Sequence, residues 1–85
     1  MAYSVALAPA ADRQFRKLPA LVQQRLKPHI DSLAGAPRPA GTLKMQGEPN
    51  LYRIRVGNYR IVYYVLDPER EVLVVKIKDR REVYR

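Results

Sequence analysis

No cysteine occurs among the 85 residues, so neither a disulfide framework nor a thiolate metal site can be built from this chain. Histidine occurs once, at His29. Acids are scarce: 8 Asp and Glu stand against 16 Lys and Arg, a formal net charge of +8. No apolar run approaches the roughly 18 residues of a membrane span, and the opening "MAYSVALAP" is too short and uncharged for a signal peptide. Internal repeats and low-complexity tracts are absent as well. Together these absences point away from secreted, disulfide-stapled and membrane-spanning classes and lead us to expect a cytoplasmic protein. The apolar fraction of 47% and the charged fraction of 28% are those of an ordered globular chain, and the length suits one domain over 1–85. So large a cationic excess on a small surface attracts polyanions. Nucleic acid or the ribosome is the expected partner class, with a basic protein-binding surface as the alternative.

Periodicity organises the chain into strand, two helices, loop and sheet. Residues 2–7, "AYSVAL", read as a short strand. Pro9 suits a helix start, after which Ala11, Phe15 and Leu18 recur on one face. A second helix is predicted from near Pro19, burying Val22, Leu26, Ile30 and Leu33 and stopping at Gly35. Pro28 falls on its solvent side. The stretch "GAPRPAGTLKMQGEP", residues 35–49, is loop by composition. Leu51–Val56 and Tyr59–Leu66 then flank Gly57-Asn58, a two-residue hairpin signal, and Asp67-Pro68-Glu69-Arg70 turns the chain into Val72–Ile77. The expected fold is α+β: an N-terminal strand, a two-helix hairpin, then an antiparallel three-stranded meander with the helices on one face of the sheet.

With Gly57-Asn58 as the loop, Val56 faces Tyr59, Arg55 faces Arg60, Ile54 faces Ile61 and Arg53 faces Val62. Directly paired residues share a face. One face therefore carries Tyr52, Ile54, Val56, Tyr59, Ile61, Tyr63 and Val65, a core face. The other carries Leu51, Arg53, Arg55, Arg60, Val62 and Tyr64. Opposed arginines destabilise a sheet by a few tenths to about 1 kcal/mol. Guanidiniums grip phosphate bidentately and stay charged, so the cluster makes sense around an anion. Continuing this register places Lys76 opposite Ile61 on the core face, a conflict that a bulge or an open sheet end would relieve. Val62, Tyr64, Leu73 and Val75 make the arginine face half apolar, as a surface awaiting a protein partner is.

The blocks "LYRIRVGNYRIVYYV" and "EVLVVKIKDRREVY" resemble the RelE/ParE toxin superfamily of toxin–antitoxin systems, and the RelE branch within it. The resemblance covers essentially the whole chain. It implies a ribosome-dependent, metal-independent endoribonuclease without cofactor, which enters the ribosomal A site of the 30S subunit, contacts rRNA, and cuts mRNA by attack of the ribose 2′-oxygen on the adjacent phosphate. The family's working residues carry over to Arg53, Arg55, Arg60, Arg80 and Tyr84, with Arg81 able to exchange roles with Arg80. Lys44, Lys78 and Arg81 are expected RNA contacts. A cognate antitoxin, acidic and folding on contact, is the implied partner, and no membrane is.

Such a reaction needs a base, an acid and positive charge for the developing phosphorane. Arginine supplies the charge and cannot act as the base. Some relatives have lysine at one or both hairpin positions or a histidine in the tail; here Arg53, Arg55 and Asp79 stand instead. Tyr84, Glu82, Glu48, Lys44 and Lys78 remain for proton transfer. Tyr84 is the leading candidate, because nearby cations favour a phenolate, although it could equally stack on a base or close the core. A ParE-like inhibitor of DNA gyrase and a silent RNA-binding module are the rival readings.

Overall fold

A computed structural model describes residues 2–79. Seven elements follow one another: β1 (Ser4–Leu7), α1 (Pro9–Arg16), α2 (Ala20–Ser32), β2 (Leu43–Lys44), β3 (Leu51–Val56), β4 (Tyr59–Leu66) and β5 (Glu71–Asp79). α1 starts on Pro9, whose missing N–H would have been unsatisfied there in any case. Asp12 in its first turn and Arg13 and Arg16 in its last complement the helix dipole. Gln23 donates from Nε2 to the Leu18 carbonyl at 2.9 Å, which pins the link between the helices. α2 runs through the exposed Pro28 and ends at Ser32, before the expected stop at Gly35. Leu33 must enter the core, and successive three-residue hydrogen bonds over Ile30–Leu33, Asp31–Ala34 and Ser32–Gly35 tighten the turn that delivers it.

The α+β class is as expected, but the sheet is larger than a three-stranded meander. Five strands lie in the order β1-β5-β4-β3-β2. β1 joins the last strand in parallel, from Ser4 beside Glu71 to Leu7 beside Val74. β2, inside what composition marks as loop, pairs Leu43 with Arg53 and Lys44 with Tyr52. The hairpin register agrees with the sequence reading at every pair from Tyr52–Tyr63 to Val56–Tyr59. Gly57 has φ +60°, as the first position of a tight hairpin turn requires.

At Lys76 the conflict in the sequence register is relieved by a bulge. The lysine pairs with Val62 and not with Ile61, because Tyr63 pairs with Val74 and leaves Val75 as an extra residue. This bulge resets the alternation: Ile77 pairs with Ile61 and is buried at 5% exposure, while Lys76 turns outward. An ammonium in the core would cost several kcal/mol, more than a local break in the ladder. β5 also extends beyond the expected Val72–Ile77, through Lys78 and Asp79.

The core lies between the helices and one sheet face. Ala11, Leu26, Ile30 and Leu33 pack with Val56, Ile61, Tyr63, Val65, Val72, Val74 and Ile77. The buried Tyr63 hydroxyl donates to the Pro37 carbonyl at 2.9 Å and lies 3.3 Å from the Thr42 hydroxyl, tying down the loop ahead of β2. Nearby, Arg38 stacks 5.2 Å from the Tyr52 ring centroid, donates to its hydroxyl and bridges to Asp67. Asp67 also accepts from the Tyr3 hydroxyl. This surface clasp joins the start of the chain, the long loop, β3 and the β4–β5 turn. No helix among the described residues is long and apolar enough to cross a membrane.

Candidate RNA interface

Alternation sends every second side chain of β3, β4 and β5 to the face the helices leave bare. Two cross-strand rows of cations result. Arg55, Arg60 and Lys78 form one, since Arg55 pairs with Arg60 and Arg60 with Lys78. Leu43, Arg53, Val62 and Lys76 form the other across four strands. Arg53, Arg60 and Lys78 are partly buried, whereas Arg55 and Lys76 are exposed. The ion pairs Arg16–Asp12, Lys27–Asp31 and Arg38–Asp67 lie elsewhere and draw on none of these five cations.

Two depressions mark the face. One, of about 300 Å³, is bounded by Gly41, Leu43, Arg53, Ile54, Arg55 and Arg60, where β2 stops and leaves the edge of β3 open. The other, of about 380 Å³, has Leu51, Val62, Tyr64 and Val75 as its apolar part and Arg53, Arg60, Lys76 and Lys78 around it. Leu43, 54% exposed, extends the apolar part toward β2. An apolar surface ringed by guanidiniums and ammoniums suits RNA, whose bases stack and whose phosphates are anionic.

Of the expected site residues, the structure brings Arg53, Arg55, Arg60 and Lys78 together. It does not bring Lys44 to them: paired with Tyr52 on an edge strand, Lys44 projects to the opposite side of the sheet. Arg80, Arg81, Glu82 and Tyr84 lie outside the described residues. His29 is exposed on α2, far from the cationic rows in the fold. Glu48 does reach this face, accepting a hydrogen bond from the Tyr64 hydroxyl at 3.3 Å. Partial desolvation, and then the Glu48 carboxylate, push the Tyr64 pKa upward, so this phenol holds its proton at neutral pH. Among the described residues no three His, Cys, Asp or Glu side chains converge as a metal site would need. Sequence reasoning missed Lys76 and the Tyr64–Glu48 contact. The signal for Lys76 was its forbidden place on the core face; for the tyrosine no local signal exists, because Glu48 comes from a loop.

A family profile described as "ParE toxin of type II toxin-antitoxin system, parDE" matches residues 5–84. The chain belongs to the RelE/ParE toxin superfamily. Within that superfamily it is RelE-like. It is 33% identical over 88 residues to the mRNA interferase toxin RelE of Escherichia coli (strain K12), covering 99% of this chain and 92% of the relative. The crystal structure of the isolated E. coli RelE toxin superposes with a TM-score of 0.81 at 32% identity, over 98% of this chain and 92% of that one. RelE in the archaeal RelE–RelB complex from Pyrococcus horikoshii OT3 gives a TM-score of 0.83 at 28% identity, over 94% and 97%. A RelE/ParE toxin is thus what carries the cationic sheet face.

Proposed function

We propose that this RelE-like toxin is an mRNA interferase, cutting mRNA in the ribosomal A site by 2′-oxygen attack and so halting translation. The observation that carries the reading is the shared face of Arg53, Arg55 and Arg60, a set whose mutual repulsion is relieved by a bound phosphate. Arg55 and Arg60, directly opposed, are placed to hold the two non-bridging oxygens of the scissile phosphate as charge builds in the phosphorane. Arg53 extends the grip one row along. Similarity to the mRNA interferase toxin RelE of E. coli supports the interferase reading.

Proton transfer falls to groups other than the guanidiniums. Tyr84 keeps the role of leading base, and Arg80, with which Arg81 can exchange roles, remains the C-terminal arginine of the site. Lys78, in the row of Arg60, is suited to protonating the departing 5′-oxygen. So sparse a base inventory leaves in-line alignment of the mRNA to the ribosome, and free RNA is then a very poor substrate. A cognate antitoxin is the protein partner, as RelB is in the RelE–RelB complex of P. horikoshii. It covers the apolar and cationic face or bars the toxin from the A site.

The test is primer extension on mRNA incubated with programmed ribosomes and toxin. New A-site 3′-ends that require ribosomes and disappear with Arg60→Ala and Tyr84→Phe, but persist with Arg13→Ala, are expected. The family profile that matches is described as a ParE toxin, which favours gyrase as a second reading. Inhibition of gyrase in a supercoiling assay, with no mRNA cleavage, would transfer the protein to that branch.

A further inference from the structure

We propose that Lys76 binds substrate: together with Arg53 it holds a second mRNA phosphate, adjacent to the one between Arg55 and Arg60. This rests on the interferase reading of the same face and adds to it a residue that enters the site only through the bulge at Val75.

Simple alternation along β5 would aim Lys76 at the core. The bulge turns it onto the arginine face, opposite Val62. A regular strand would also aim Lys78 at the core face, opposite Tyr59, and turn the buried Ile77 outward, so the one bulge places all three residues. It brings both lysines onto the arginine face, as bulges do where they re-aim side chains.

The resulting geometry is that of a two-phosphate track. Lys76 and Arg53 flank Val62 from the two neighbouring strands, about 9–10 Å apart at the backbone. Lys78 and Arg55 flank Arg60 in the same way, about 7 Å further along the strands. Arg53, Arg60, Val62, Tyr64, Lys76 and Lys78 all border one depression of about 380 Å³. Val62 within the second row, and Leu51 and Tyr64 beyond it, form an apolar floor with space for a base while successive phosphates meet successive rows. Lys76 is exposed, so its flexible stem can follow the backbone and its ammonium acts as a point charge and not as a fork.

The experiment measures Kd for the full-length toxin on ribosomes whose mRNA carries a 2′-deoxy A-site codon, which removes the nucleophile and leaves binding alone. Empty ribosomes serve as the second arm. Lys76→Met retains the stem without the charge; Lys76→Arg restores the charge. For Lys76→Met on programmed ribosomes we expect Kd to rise about tenfold and the slope of log Kd against log salt to shrink by about one. On empty ribosomes the variant should match the wild type, and Lys76→Arg should recover most of the loss. Thermal melting checks that the exposed position leaves the fold intact.

An unchanged Kd and salt slope in Lys76→Met would overturn the proposal. An equal penalty on empty ribosomes would also do so, by assigning Lys76 to rRNA. If Arg60→Ala still abolishes A-site cleavage in either case, the interferase reading stands without Lys76. A wild-type toxin that cleaves nothing with unmodified mRNA removes both.

Discussion

Arg55 and Arg60 face one another across β3 and β4 with Lys78 next in line, so each cation raises the cost of the others. On the proposed interferase reading, stability and function pull in opposite directions here. Replacing Arg55 by Thr should stabilise the free toxin by roughly 0.5 kcal/mol, read as a higher urea midpoint, while lowering the A-site cleavage rate at least tenfold. Cleavage at the wild-type rate in that variant would remove Arg55 from the site. A second residue-scale expectation concerns Asp67. Hydrogen bonds from Tyr3 and then Arg38 hold its pKa below the ordinary value of 3.8. The contribution of a carboxylate depressed in this way is complete above its unfolded pKa and is lost as pH falls through the folded one. Tyr3, raised above 10.0 mainly by the same hydrogen bond, gives the mirror case: its share is complete below 10.0 and is lost as pH rises through its folded value. Denaturation series at acid and alkaline pH should both show shallower limbs in Asp67→Asn than in the wild type. An acid limb of unchanged slope would mean that the clasp does not couple to folding.

The elements differ in how far sequence alone reveals them. The β3–β4 hairpin was legible to the single residue, because a two-residue loop sets the register and a one-residue slip would have exposed Ile61 and Tyr63. Both helices were legible at helical spacing, the first from Ala11, Phe15 and Leu18 and the second from Leu26, Ile30 and Leu33, while the hairpin register placed Arg53, Arg55 and Arg60 on one face. The pairing of β1 with β5 was not. Four residues of alternating pattern carry no mark of a partner at the far end of the chain, and parallel neighbours share no turn. β2 was hidden by its Gly- and Pro-rich flanks, so no local pattern signalled that Lys44, an expected RNA contact, projects to the side of the sheet away from the arginines. The bulge left a trace, since Lys76 fitted no regular register, but the pattern could not say which residue would be extruded. At the hairpin turn, Gly57→Ala should cost about 1 kcal/mol in equilibrium unfolding, because φ +60° is strained for any side chain. The added Cβ would lie 3.4 Å from the Arg25 Nη1, the tip of a flexible side chain that can retreat, so the penalty belongs to the backbone. A neutral result would show that the turn relaxes to another type.

For the whole molecule, one topological fact reaches beyond the folded state. Ser4 finds its partner only at Glu71, so the first strand joins the sheet only once the last lies between it and β4. A ribosome making the protein therefore releases helices and hairpin before the strand that completes the structure has left the exit tunnel. Until then Val72, Val74 and Ile77 are missing from the core, and Lys76 and Lys78 from the cationic rows. Nascent chains arrested with residues 1–66 outside the tunnel should be digested rapidly by protease, and those with 1–79 outside should resist it; equal resistance would mean that the first part folds alone. If the difference holds, the core and the cationic rows stay incomplete for as long as β5 remains in the exit tunnel. A protein partner present in that interval meets a half-built sheet, so the order of synthesis, as well as affinity, governs which molecules complete the sheet unpartnered.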